Sequence, residues 1–252
     1  MAQDPQERHP VAPHPTIVGY YDQSAHRLPF VRDLFNSTAT HYDSLNRWFS
    51  LGSGAWYRRN CLARAGLRQG LTVVDVAVGT GLLAREILAI TGERRHVIGI
   101  DLSERMLAIA REKLAIPLVQ GAAEALPLAD EVADFVTMGY ALRHVGDLVT
   151  AFREFRRVLR RGGKVVLLEL GSPSGKLSRA VASIYLGRVV PLLSRWTTGD
   201  ARAETLMRYY WQTIEQCVPP DTILTAMADS GFEDVRCVTD LDLFRSYVGR
   251  KP

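Results

Sequence analysis

An α/β fold with a doubly wound, seven-stranded sheet is expected from three observations. From about Leu71 onward, short β-rich apolar runs alternate with helical patterns, which is how a sheet covered by helices on both faces reads in sequence. A glycine-bearing turn, Val78-Gly79-Thr80-Gly81, follows the first of these runs and opens a helical pattern. The chain of 252 residues, 47% hydrophobic and 23% charged, can bury one such domain with appended helices, and its proportions are globular rather than disordered or membrane-embedded.

Taken in order, Met1 to Thr16 carries four prolines among polar residues and lacks the apolar stretch of a secretion signal. Residues 1–30 are therefore expected to be a flexible N-terminal tail ahead of a single domain at 31–252. Leu34 to Gly66 mixes helical spacing with aromatics, among them Phe35, Tyr42, Trp48, Phe49, Trp56 and Tyr57, and reads as an N-terminal helical segment. Strands are expected at Thr72 to Ala77, His96 to Asp101, Leu118 to Gly121, Ala133 to Gly139 and Lys164 to Leu170. Between them, Ser103 precedes a helical apolar pattern running to Ala115, where its hydroxyl can satisfy orphan backbone N–H groups. Asp147 caps the next helix in the same way, and that helix is expected to reach Arg160 before Gly162-Gly163 ends it. Gly171 to Gln216 then breaks the rhythm with two helical stretches, read as a cap over the strand ends. A helix at Asp221 to Ser230 and strands at Phe232 to Thr239 and Leu243 to Gly249 complete the sheet.

Charge and cysteine usage narrow the partners. A net charge of +4 is too small to imply nucleic acid, although a local basic face could favour anionic membrane surfaces. Cys61, Cys217 and Cys237 form no CxxC pair, so neither a disulfide framework nor a zinc or other metal site is indicated, and a cytoplasmic, reducing setting is expected. No apolar run approaches the roughly 18 to 20 residues needed to cross a membrane. Oligomeric state is left open, with a homodimer among the options.

The glycine turn lets backbone approach a ligand at the N-terminus of a helix. Gly79-Thr80-Gly81-Leu82-Leu83-Ala84 also satisfies G-x-G-x-x-A, so a nicotinamide dinucleotide is a rival ligand. Asp101, about 20 residues on, can accept hydrogen bonds from ribose hydroxyls and would serve either nucleotide. Three further signals are Asp75 ahead of the turn, Gly121-Ala122-Ala123-Glu124-Ala125-Leu126-Pro127 after the third strand, and Arg157-Val158-Leu159-Arg160-Arg161-Gly162-Gly163 before the fifth. Singly, Asp75 could be a strand-end capping carboxylate and Ala122-Ala123 a plain turn. Together and in order they resemble class I S-adenosylmethionine-dependent methyltransferases, whose sheet is Rossmann-like with seven strands.

A narrower resemblance begins at Gly139-Tyr140-Ala141-Leu142-Arg143-His144-Val145-Gly146-Asp147. This segment is similar to the motif after strand four in the ubiquinone/menaquinone biosynthesis C-methyltransferase family, usually Gly-Leu/Ile-Arg-Asn and an apolar residue. His41-Tyr42-Asp43-Ser44-Leu45-Asn46, the stretch from Leu51-Gly52 to Trp56-Tyr57-Arg58, Asp200-Ala201, and Pro220-Asp221 to Ser230-Gly231-Phe232 extend the match over roughly Arg32 to Val235. The resemblance implies S-adenosylmethionine held by Asp75, Ala77, Gly79, Thr80, Gly81, Asp101, Leu102, Met106, Ala122, Ala123 and Gly139. It implies a quinol-like, hydrophobic aromatic acceptor met by Tyr42, Arg143 and His144. Three positions depart from the family: His144 stands for asparagine, Gly139 for serine, and Leu241 to Tyr247 for a glycine- and histidine-bearing last strand.

Methyl transfer to a ring carbon needs an aligned nucleophile, a dry site, a base or held water, and a cation for the phenolate. Arg143 suits the cation and His144 the base, while Tyr42 can hydrogen-bond the acceptor oxygen. Each also has a structural reading, namely an ion pair for Arg143, a satisfied supporting histidine for His144 and packing for Tyr42. O- or N-methylation of a small aromatic metabolite or lipid remains the alternative reaction. In the cap, Leu177, Val181, Ile184, Tyr185, Val189 and Leu192 recur at helical spacing among Arg179, Arg188 and Arg195. Such a face could meet an apolar substrate tail, touch a membrane as a peripheral contact, or pack on the core, and Pro191 is expected to break or bend it.

Overall fold

The computed structural model describes residues 10–50 and 54–252, and residues 47–50 by backbone alone. Part of the Leu51-Gly52 to Arg58 stretch and the Trp48 and Phe49 side chains therefore lie outside the described residues. The sheet is built from β1 (Val73–Val76), β2 (Val97–Asp101), β3 (Leu118–Gln120), β4 (Ala133–Gly139), β5 (Leu159–Leu170), β6 (Glu233–Asp240) and β7 (Phe244–Arg250). Its spatial order is β3-β2-β1-β4-β5-β7-β6. β1 through β5 pair in parallel, whereas β7 runs antiparallel to both β5 and β6. Central strands are covered on both faces, so β1 is buried throughout and reads as an unbroken apolar run apart from Asp75. Edge strand β6 is largely exposed and polar.

Each helix earns its place through a buried face. α6 (Leu148–Val158) begins where the Asp147 side chain accepts from the Thr150 N–H, and it buries Leu148, Val149, Ala151, Phe152, Phe155 and Val158. With α10 (Pro220–Asp229) it covers one side of the sheet. The other side packs against α3 (Gly54–Ala65), α4 (Leu82–Thr91) and α5 (Glu104–Lys113), the last capped by Ser103 as expected. A third apolar cluster joins α1 (Arg27–Thr38) and α2 (Tyr42–Ser50) to α9 (Ala201–Glu215) and the preceding helical run. This third cluster roofs the strand ends.

Three expectations change. Residues 10–30 are packed rather than a flexible tail. The Val11 N–H donates to Asp147 Oδ1 at 2.6 Å, while Val11 and Pro13 carbonyls accept from Leu148 and Val218. His14, Ile17, Tyr21 and Arg27 are buried. Prolines leave few backbone donors to satisfy, and buried Arg27 ties the segment down by donating to Tyr21 Oη, the Val145 carbonyl and the His14 carbonyl. The second change is at Leu159, which leaves α6 and pairs with Ala133 across a bulge instead of continuing the helix to Arg160. Gly162, at φ 76°, then turns within the long β5 rather than ending a helix. The third concerns the cap. α7 (Lys176–Ile184), a π-turn (Tyr185–Val189) and α8 (Val190–Thr198) run on without a gap. Pro191 lies at the start of α8, directly after the π-turn, whose wider spacing accommodates a residue that has a ring in place of an N–H, so the run continues through it.

Candidate active site

Strand order reverses between β1 and β4, and a crevice at the carboxyl ends of such strands is where α/β sheets bind ligands. The backbone there is held in left-handed conformations, with φ of 55° at Ala77, 57° at Gly79 and 60° at Tyr140. Two non-glycine residues in this region mark stored strain at the strand ends. The main pocket is lined by Ala77, Gly79, Asp101, Leu102, Met106, Ala122, Ala123 and Gly139 from the expected cofactor set. Its remaining wall comes from α1 and from the segment after β4.

Asp101 ends β2 with both oxygens directed by backbone. Gly79 N–H donates to Oδ2 and Ser103 N–H to Oδ1, each at 2.8 Å. Burial pushes its carboxyl up to about 6, with backbone donors from Ser103, Gly79 and Leu102 working against the shift. Oxygens fixed in this way retain lone pairs for a vicinal diol. Leu102, Met106, Ala122 and Ala123 supply apolar walls of the kind a purine needs, and the open space above Gly79 admits a chain against the backbone. A carboxylate, an apolar slot and a glycine cradle together fit S-adenosylmethionine. A Cβ at Gly139 would already sit 3.2 Å from Leu83, so this neighbour accounts locally for glycine where the family usually carries serine.

Three members of the expected set act beside the pocket rather than on its main wall. Asp75 is buried within β1, where Oδ1 accepts from Thr137 Oγ1 at 2.7 Å and Oδ2 has no partner. Burial pushes its carboxyl up to about 7. Thr80 lines a smaller adjoining pocket, and its hydroxyl donates to Asp43 Oδ1 at 2.5 Å. Asp43 also accepts from Lys113, so one carboxylate latches α2 onto both the glycine turn and α5. Gly81 serves packing and conformation: φ is 89°, and a Cβ would lie 2.3 Å from Leu114.

A second, mostly apolar pocket adjoins the first across Tyr42, Tyr140 and Tyr210, which border both. Leu45, Leu170, Met207, Leu243 and Phe244 provide its apolar lining, and Arg58, Asn46 and Arg143 its polar groups. The Tyr210 and Tyr42 hydroxyls are 3.3 Å apart. Arg143 is fully buried, donating to Glu169 Oε2 at 2.6 Å through Nη1 and to Thr213 Oγ1 at 3.1 Å through Nε. Its Nη2 has no hydrogen-bond partner among the described residues, and its guanidinium lies 4.7 Å from the Tyr210 ring centroid. Burial disfavours the charge, but Glu169 outweighs it and holds the Arg143 pKa above the ordinary arginine value. The expected cation is therefore an ion pair with one free donor.

His144 lines the first pocket, stacked on Tyr209 and Tyr210 at 5.4 and 5.5 Å. Neither ring nitrogen has a hydrogen-bond partner among the described residues. Burial, then Arg143, His14 and Arg27, push its pKa well below the usual imidazole range, so the ring is neutral at physiological pH. It offers a lone pair but holds a proton weakly.

Other wall residues were not singled out from sequence. Leu28, Val31, Arg32 and Phe35 of α1 line the main pocket, and their i, i+3, i+4, i+7 spacing was a readable signal. Arg58 was visible only as part of a resembling stretch, yet it is buried, donates to Asn46 Oδ1 at 3.1 Å and lies 5.5 Å from the Tyr140 ring centroid. Tyr210 had no local signal at all. Among the described residues no group of three or more His, Cys, Asp or Glu could hold a metal.

Comparison with known proteins agrees with this geometry. The ubiE/COQ5 methyltransferase family model matches residues 22–240. A ubiquinone/menaquinone biosynthesis C-methyltransferase UbiE from Shewanella frigidimarina is 34% identical over 231 residues, covering 88% of this chain and 91% of that protein. Among solved structures, a SAM-dependent methyltransferase from Thermotoga maritima superposes with a TM-score of 0.62 at 21% identity, covering 88% of this chain and 99% of the other. Phosphoethanolamine N-methyltransferase 2 from Haemonchus contortus, solved with S-adenosyl-L-methionine, gives 0.56 at 19% identity, covering 78% and 52%. These structures share the fold. The chain belongs to the ubiE/COQ5 methyltransferase family and is an S-adenosylmethionine-dependent methyltransferase.

Proposed function

We propose that this enzyme methylates a ring carbon of a quinol-like phenol bearing an apolar tail. The observation that carries the reading is the buried, unpartnered Nη2 of Arg143 in an apolar pocket that shares Tyr42, Tyr140 and Tyr210 with the cofactor pocket. An unpaired buried donor is costly in a resting protein, and a phenolate oxygen would satisfy it. The relatives named for quinone biosynthesis support the same class of acceptor.

S-Adenosylmethionine supplies an electrophilic methyl group on a sulfonium. Arg143 Nη2 and the Tyr42 hydroxyl hold the acceptor oxygen and stabilise its anionic form, which makes the neighbouring ring carbon nucleophilic. Tyr140, between the two pockets, sets the ring's position along the line of transfer. The new carbon–carbon bond leaves a ring carbon that must lose its original proton to recover aromaticity, so one proton is released per turnover. His144 receives that proton, and its depressed basicity favours passing it on rather than storing it. α1, α2 and α9 roof the site and exclude water from the transfer.

The remaining wall of Leu45, Leu170, Met207 and Phe244 suits an isoprenoid-like tail. An acceptor of this kind is dissolved in a bilayer, which makes the working enzyme a peripheral membrane protein. No helix among the described residues is long and apolar enough to cross one. The test is turnover with matched tailed and tail-free quinols in mixed micelles. The reading expects a markedly higher kcat/KM for the tailed quinol, and preference for a polar amine or a tail-free catechol oxygen would contradict it.

A further inference from the structure

The helical run 176–198 has two apolar faces, and among the described residues only one of them is covered. Leu186, Val190 and Ser194 are buried, and Leu186 and Val190 join the cluster that contains α9. On the opposite side Leu177, Val181, Ile184, Val189, Leu192 and Trp196 are 79, 59, 56, 38, 58 and 83% exposed. The spacing from Ile184 to Val189 is five residues, and it falls on the π-turn Tyr185–Val189. A π-turn accommodates one residue more per turn than the α-helix. It thus keeps Val189, Leu192 and Trp196 in line with Leu177, Val181 and Ile184, making one stripe along about 28 Å of helix.

Charge identifies what the stripe meets. From Leu170 to Gly199 the sequence contains four basic residues, Lys176, Arg179, Arg188 and Arg195, and no acidic one. The segment therefore has a formal charge of +4 with no acidic residue of its own to offset it. Arg195 pairs with Glu204 on α9, and Asp242 accepts from Ser174 and Ser178 at the start of the run. Among the described residues Lys176 and Arg188 have no ion pair. A stripe of aliphatic residues ending in tryptophan and flanked by free cations is the composition of a helix lying in a lipid interface, where Trp196 suits the headgroup level.

We propose that the helix 176–198 docks this enzyme flat on a bilayer rich in anionic lipid, with the exposed stripe in the acyl boundary and Lys176 and Arg188 on the headgroups. The opposite face of the same helix packs, through Leu186 and Val190, in the cluster that includes Leu45, Leu170 and Met207 of the acceptor pocket. Docking therefore sets that pocket's outer wall against the phase that holds a tailed acceptor. The purpose of docking rests on the tailed-acceptor reading above, whereas its occurrence is tested without turnover.

The experiment is co-sedimentation of the full chain with vesicles of phosphatidylcholine alone and of phosphatidylcholine with 30% phosphatidylglycerol, at low and high salt. Binding is expected only to the anionic vesicles, weakening with salt. Leu192→Ser with Trp196→Ser should weaken it at least about tenfold, and Lys176→Gln or Arg188→Gln about fivefold each. Turnover of a tail-free quinol should stay at the wild-type level in all of them, which also shows that they fold. Equal binding of wild type and the stripe variant, or no binding to either vesicle, overturns the proposal. So does sedimentation velocity showing that the stripe holds two copies together and is covered in solution. Anionic-vesicle binding by an enzyme that methylates no tailed quinol would leave the docking intact and remove the acceptor reading instead.

Discussion

The two halves of the active site are built by different means. The cofactor half is assembled from the turns that follow successive strands: Ala77 and Gly79 after β1, Asp101 and Leu102 at β2, Ala122 and Ala123 after β3, and Gly139 at β4. Its polar contacts are largely backbone, with Asp101 fixed by two N–H groups. The proposed acceptor half draws on α2, α3, α9, β7 and the segment after β4, and its chemistry rests on side chains, Arg143 against Glu169 and Tyr42 beside Tyr210. A backbone-built half tolerates drift in side chains. A side-chain-built half changes its ligand by a few substitutions, and the departures from the relatives' usual motif lie on the wall of the first pocket, at Gly139 and at His144, whose ring stacks on the shared Tyr210.

Breaking the acceptor half should produce the largest effect. Arg143→Ala leaves Glu169 buried without its cation, which costs on the order of 3–5 kcal/mol of stability, together with loss of turnover. Arg143→Lys keeps the charge but not the free second donor, so it should retain more stability than the alanine variant while turnover remains low. Urea denaturation alongside single-turnover assays separates the two. Near-normal turnover in the lysine variant would show that Nη2 does not meet the acceptor.

Tyr42→Phe comes next. It removes one donor from the anionic oxygen and should lower kcat by roughly 10²-fold, with cofactor affinity unchanged by calorimetry. His144→Gln belongs to the same comparison. Turnover should fall while the pH profile gains or loses no step between 6 and 7, because the native imidazole is already neutral there.

The cofactor half should respond more gently. Asp101→Ala is expected to weaken S-adenosylmethionine binding by about 1–3 kcal/mol and to leave the order of preference among acceptors as it was. Since burial pushes Asp101 up to about 6, cofactor affinity should be flat above pH 7 and fall as pH drops through 6, where the ribose-facing carboxylate takes up a proton. An affinity indifferent to pH between 5 and 7.5 would remove Asp101 from that role.

The smallest effect sharpens the contrast through stability. Buried acids in the cofactor half have raised pKa values, about 7 for Asp75 and about 6 for Asp101. Their favourable contribution is full at low pH and lost as pH rises through those values. His14 of the N-terminal segment, lowered to about 4 by burial, and His144 on the first pocket's wall, lowered by burial as well, have the opposite sign. Their contribution is present above about 6.5, the unfolded histidine value, and is lost as pH falls below it. His14→Gln should therefore flatten the loss of stability between pH 6.5 and 5 by on the order of 1 kcal/mol, and Asp75→Asn should flatten the change between pH 6 and 7.5, both measured by urea denaturation.

The same division explains what could be read from sequence. The seven strands and most of the cofactor wall were legible because each lies in a contiguous motif whose turn chemistry is local. Asp75, Thr80 and Gly81 belong to the right motif but sit beside or beneath the main wall: a strand's side chains alternate between its faces and the string does not reveal which one Asp75 takes, while Thr80 meets Asp43 and Gly81 meets Leu114 through contacts remote in sequence. Arg143 was legible as a cation, whereas its pairing with Glu169, 26 residues away, was not. Tyr210 reaches Tyr42 across 168 residues, a juxtaposition only the folded cap creates. The proline-rich start looked like a tail because its anchors, such as Asp147 with Val11 and Arg27 with the His14 carbonyl, are tertiary. Exposure of the Leu177 to Trp196 stripe was equally hidden, because an apolar helical face has the same periodicity whether or not it is covered.

The acceptor atom is identified by transfer of a ¹³C-labelled methyl group to a tailed quinol followed by NMR of the extracted product. Ring methylation gives a methyl carbon at a ring-attached chemical shift, coupled to aromatic carbons, with one ring hydrogen lost. A methoxy resonance with every ring hydrogen retained would contradict it.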